Sequence, residues 1–93
     1  MSHLSIDDMR AEALFVSDLQ RSDDPAPGAI QQAVTVAVRA FGSRGCAART
    51  AQEFGDHPDT AVVRMQWARR MVAAAFGPVT ARPTGRIMWR SAA

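Results

Sequence analysis

The segment PDTAVVRMQWARRMVAAAF, residues 58 to 76, restricts the fold more than any other part of the chain. At helical spacing, Ala61, Met65, Ala68, Val72, Ala75 and Phe76 share one flank, and Val63, Trp67, Met71 and Ala74 lie on nearly the opposite one. Only a narrow sector with Gln66, Arg69, Arg70 and Ala73 stays polar. Asp56 is placed to cap the start, Pro58 suits the first turn, and Gly77-Pro78 ends the run, so a helix is expected over about 58–76. A helix apolar on two flanks is normally covered on both. A chain of 93 residues buries about two thirds of its unfolded surface. One of the two covers is therefore expected to come from another molecule.

The remaining segments also read as helix. Ser5 with Asp8 three residues on forms a capping box, and the acids favour a helix start, giving a first helix over about 5–20 with Ala11, Leu14, Phe15 and Leu19 on one face. SDDPAPG, residues 22 to 28, interrupts it. Ile30, Ala33, Val34, Ala37, Val38 and Phe41 then recur at the spacing of a single apolar stripe, predicting a helix over about 29–41 ended by Gly42. A short helix is expected over about 46–54, with Gly55 closing it. Abundant alanine and short β-branched runs favour helix over sheet. The expectation is an all-α fold: one small four-helix domain over 1–78, followed by a basic C-terminal arm over 79–93.

Charge is divided along the chain. Residues 1 to 30 hold two Arg against six acids, residues 31 to 93 hold nine Arg against three, and Lys is absent. A basic C-terminal half suits nucleic acid, an acidic partner, or the acidic first helix of a second copy. Within the arm, Arg82, Arg86 and Arg90 recur every four residues around Ile87, Met88 and Trp89.

Several classes are set aside by what the sequence lacks. One cysteine and two histidines provide no metal-ligand spacing, and the glycines at 42, 45 and 55 fit no phosphate-binding loop. His57 between Asp56 and Pro58 reads as a capping turn with no nucleophile beside it. No cofactor and no enzymatic activity are expected. MSHLSIDDMR lacks the pattern of a signal peptide and no apolar run has the length of a membrane span, so a cytoplasmic protein is expected.

Residues 47 to 66 resemble a helix-turn-helix: Ala51 stands at the small position of the first helix, Gly55 at the turn, and Thr60-Ala61 open the second helix. Asp56 and Arg64 depart from the pattern, since both stand where aliphatic residues are usual. The resemblance implies that Thr60, Arg64, Gln66, Arg69 and Arg70 would meet duplex DNA, arginine on guanine or phosphate and glutamine on adenine. RGCAAR…QEFGDHP, residues 44 to 58, and the Ala/Arg-rich style are similar to small helical proteins of actinobacterial type, a resemblance that implies no particular activity.

Three functional readings result. The leading one is a regulatory or interaction protein, a homodimer or a partner of another helical protein, that buries Val63, Trp67, Met71 and Ala74 between helices. The alternative is a small DNA-binding regulator using residues 47 to 70. The third is a redox sensor at Cys46, whose thiol would be activated by Arg44, Arg49 and a nearby helix start; a lone cysteine beside Ala-Ala also suits a small buried apolar position.

Overall fold

The computed structural model describes residues 5–77. Three α-helices make up the fold: α1 (Ile6–Phe15), α2 (Pro27–Asp56) and α3 (Pro58–Phe76), with a short 3-10 turn at Arg21–Asp23. The described residues contain no strand, and no helix among them is long and apolar enough to cross a membrane. The expected arm over 79–93 lies outside the described residues.

The expected four helices become three because the gap expected between residues 41 and 46 does not form. Gly42 alone leaves helical geometry, at φ 72° and ψ 166°, and the helix resumes at once. A positive φ costs a glycine little, so one residue absorbs the whole change of direction. The break folds Phe41 back against the next turn. A Cβ on Gly45 would stand 2.9 Å from the Phe41 Cβ, and the Arg49 guanidinium lies 3.9 Å from the Phe41 ring centroid. The Cys46 thiol reaches the Ala37 carbonyl at 3.7 Å across the same break. The two halves of α2 are thus tied by side chains where the backbone ladder is interrupted.

The ends of the helices reflect local chemistry. At the start of α1 the capping box forms as expected: the Asp8 amide donates to Ser5 Oγ at 3.1 Å and the Ser5 amide to Asp8 Oδ2 at 3.3 Å. The helix stops at Phe15, five residues short of the expected end, because other donors take its last carbonyls. Ser17 Oγ donates to the Leu14 carbonyl at 2.7 Å, and Arg64 takes the Phe15 carbonyl. Between α1 and α2, Gln20 and Asp23 close a turn and Asp24 adopts a left-handed conformation, which a short polar side chain tolerates. Pro27 then occupies the first position of α2, where its missing N–H costs nothing.

The turn between α2 and α3 also differs from expectation. Gly55 is helical, Asp56 is the last residue of α2 instead of a cap for α3, and His57 alone separates the two helices at φ −140° and ψ 67°. Pro58 fills the first position of α3. His57 Nδ1 lies 3.0 Å from Glu53 Oε2, bracing the corner.

All three helices meet in one core. Leu14, Ile30, Cys46 and Val72 are its largest fully buried side chains, joined by Ala11, Phe15, Val34, Ala61, Met65, Trp67 and Ala68. Phe15 stacks on Phe54 with ring centroids 5.7 Å apart. Alanine at so many core positions brings the helices close together.

Candidate docking surface

The four residues expected to form a bare flank of α3 are divided by the fold. Trp67 is only 3% exposed, so its own chain covers it. Val63 is 51% exposed, Met71 is half-buried and Ala74 is exposed. They do not form a continuous apolar surface, and the expectation that another molecule must shield the indole does not hold.

Arg64 is the reason. Its Nε donates to the Phe15 carbonyl at 2.7 Å, and its Nη2 lies 3.0 Å from the Ser17 and Leu19 carbonyls and 3.4 Å from that of Leu14. The guanidinium carbon sits 5.1 Å from the Trp67 ring centroid and 5.8 Å from that of Phe15. One side chain therefore caps α1, holds the chain just beyond it and roofs the indole. Burial lowers the Arg64 pKa, an effect partly offset by the Glu53 charge.

The other residues assigned to duplex DNA are placed differently from one another. Thr60, Gln66 and Arg70 are exposed on α3, with the Thr60 hydroxyl bonded to the His57 carbonyl at 3.2 Å. Arg69 donates to Asp8 Oδ1 at 2.7 Å, joining α3 to α1. That bond, with the Ser5 amide, holds the Asp8 carboxyl below its ordinary range. Residues 5–77 carry eight Arg against nine acids, so the surplus of positive charge in the chain belongs to residues 78–93.

Cys46 does not have the setting of an activated thiol. It is fully buried, and burial, reinforced by the Glu12 charge, pushes its pKa up against a smaller opposing effect of Arg49. Helical geometry restarts at Ser43, just past the break at Gly42, so Cys46 does lie near a helix start, but the thiol points into the core and its burial outweighs that setting. Glu12 is unusual in its own right. Its Oε1 is buried without a hydrogen-bond partner, and burial, then the Asp8 charge, raises its pKa, opposed by Arg69. Among the described residues no group of three His, Cys, Asp or Glu side chains is placed to hold a metal ion.

Ile6, Val62 and Val63 are exposed on α1 and α3, and a further open apolar surface lies on the first half of α2. The chain leaving α1 runs beside this half and encloses a groove of about 470 Å³. Val16 and Leu19 line it from the chain leaving α1, and Ala33, Val36, Ala40 and Phe41, with Gln32, line it from α2. Val36 is 57% exposed and Phe41 37%. Asp18 lines the groove beside Leu19, and Arg39 is exposed one turn from Val36. The stripe from Ile30 to Phe41 is expected to point inward as a whole. Ile30, Val34 and Ala37 do so, whereas Phe41, the last residue before the break at Gly42, is partly exposed at the rim. Val36, an apolar residue off the stripe, is the legible sign of this surface.

No family model, curated protein or solved structure matches the chain.

Proposed function

We propose that this chain is a small non-enzymatic interaction protein that associates with a second copy through the first half of α2. The observation carrying this reading is the uncovered groove between Val16–Leu19 and α2, with Val36 and Phe41 standing out at its edge. Exposed apolar side chains that share one groove mark association surfaces more often than isolated ones do. Small Ala29, Ala33 and Ala40 let a facing helix approach closely. The rim carries both signs of charge, Asp18 on the α1 side and Arg39 beyond Val36, so a two-fold contact sets each against its opposite in the other copy. The contact differs from the one expected around Trp67, which is closed inside the fold. Duplex DNA gains less support, since Arg64 and Arg69 are committed to α1 and the described body holds more acids than arginines.

Sedimentation equilibrium from about 1 µM to about 500 µM tests the proposal, a range that spans weak to moderate dimers. The wild type is expected to shift from monomer to dimer. Val36→Asp, which sets an unpaired carboxylate in the contact, is expected to weaken association at least about tenfold, roughly 1.4 kcal/mol, while leaving helix content unchanged. A wild type that stays monomeric throughout, or a variant that associates equally well, overturns it.

A further inference from the structure

We propose that residues 86–90 of the same chain, RIMWR, occupy the α2 groove and compete there with a second copy; the inference rests on the groove being the association surface. Three observations point to this segment. The first is where the described chain ends. The Gln31 side chain of α2 donates to the Ala75 carbonyl at 2.8 Å, which fixes the last turn of α3 against the half of α2 that bears the groove. Gly77, at φ 69° and ψ 163°, then turns the chain out of the helix.

The second is reach. Eight residues separate Gly77 from Arg86, and the nine steps from one to the other span at most about 30 Å when extended. Passing around α2 takes half the circumference of a helix about 10–12 Å across, roughly 16–19 Å.

The third is chemical match. Residues 16–28, which form one side of the groove and the chain beyond it, hold Asp18, Asp23 and Asp24 against Arg21 alone. Residues 78–93 hold Arg82, Arg86 and Arg90 and no acid, and within RIMWR three apolar side chains stand between two arginines. Such a segment presents an apolar centre to Val36, Ala33 and Leu19 and a cationic edge to Asp18. A tethered segment acts at an effective concentration in the millimolar range, so even a weak site of about 0.1 mM is filled about ten times over. Association between copies must then displace it.

Hydrogen exchange on the full chain at about 5 µM, where association in trans is slight, reads the outcome directly. The amides of residues 86–90 are expected to exchange about tenfold more slowly than in an unprotected chain, and to lose this protection in Val36→Asp and in Asp18→Arg. Trp89→Ser, which frees the groove without touching the described body, is expected to tighten self-association about a hundredfold in sedimentation, about tenfold for each of the two segments no longer displaced. Unprotected amides in the wild type overturn the inference. So does protection that appears only as copies associate, which places the segment on the second copy instead. If Val36→Asp abolishes association while Trp89→Ser leaves it unchanged, the groove stands as the association surface and this competition alone fails. If Val36→Asp leaves association unchanged, the surface itself is wrong.

Discussion

Replacing Arg64 by alanine tests how the three helices are held together. Nη2 is shared among the carbonyls of Leu14, Ser17 and Leu19 while Nε serves Phe15, and α1 has no basic residue of its own in its last turn. A hydrogen bond from a charged donor contributes about 1.5–3 kcal/mol when desolvated. Arg64 is half-buried, so water replaces part of what is lost, and Nη2 has two hydrogens for three acceptors. One bond from Nε and one full bond from Nη2, each discounted to about 1 kcal/mol, contribute about 2 kcal/mol. Removing the stem and guanidinium from above Trp67 and Phe15 costs about 1 kcal/mol more.

The expected loss is therefore about 3 kcal/mol, a large share of the 4–11 kcal/mol or so that holds a body of this size. Urea unfolding monitored by far-UV circular dichroism and by Trp67 fluorescence, in a Trp89→Phe background, gives the number. Arg64→Lys keeps charge and stem but not the planar fork, and is expected to fall between wild type and alanine, about 1–2 kcal/mol down. A cost for Arg64→Ala below about 0.5 kcal/mol, that of an ordinary surface change, refutes the reasoning.

The other predictions concern the core and the break in α2. Glu12 has a raised pKa in the fold, so its protonated form is favoured there: stability is greatest below the ordinary glutamate range and declines as pH rises through the raised value. Glu12→Gln is expected to remove that decline and to stabilise the protein by about 1 kcal/mol at pH 7, measured by urea unfolding against pH; an unchanged pH profile contradicts the assignment. Asp8 works in the opposite sense, its stabilising pairing being lost as pH falls through its lowered value. Cys46, buried and pushed up, is expected to react with a disulfide reagent only after unfolding, and labelling of the native protein at the rate of a free thiol counts against its placement. Gly42→Ala forces a Cβ into a positive-φ position and is expected to cost about 1–2 kcal/mol in thermal unfolding; an unshifted melting temperature shows that α2 does not bend there.

Local features were the legible part of this sequence. The Ser5–Asp8 capping box, the proline starts of α2 and α3, and the inward positions Ile30, Val34, Ala37, Ala61, Met65, Ala68 and Val72 all depend on residues within a few turns of one another. Helical geometry does break at Gly42, but the gap expected up to residue 46 does not form, because a glycine after an apolar stripe suits both a stop and a one-residue break, and residues 43 to 49 decide between the two. Here Phe41 finds the open side of Gly45 and the face of Arg49, so the chain re-enters the helix without a loop. The stop expected at Gly55 does not form at all. Nothing local required it to leave helical geometry, and Pro58 set the boundary two residues later.

The misplacement of Trp67 has a different origin, and it is what moves the proposed contact from α3 to α2. A helical wheel scores arginine as polar and assigns its sector to water or to phosphate. Arg64 has an aliphatic stem as well as a charged fork, and the fork finds acceptors at an α1 end that no residue in α1's last turn supplies with a donor. Once those carbonyls draw the guanidinium inward, the stem and fork cover the indole, and the second apolar flank of α3 closes without a partner. The same contact removes the arginine that the DNA reading placed first on α3 and the bare indole that the α3 interface needed. The proposed association therefore uses apolar surface that no arginine covers. Phe41 does have Arg49 against its ring, but Val36 and the alanines beside it have no such cover. That asymmetry, more than the size of the groove, is why Val36 is the residue to change.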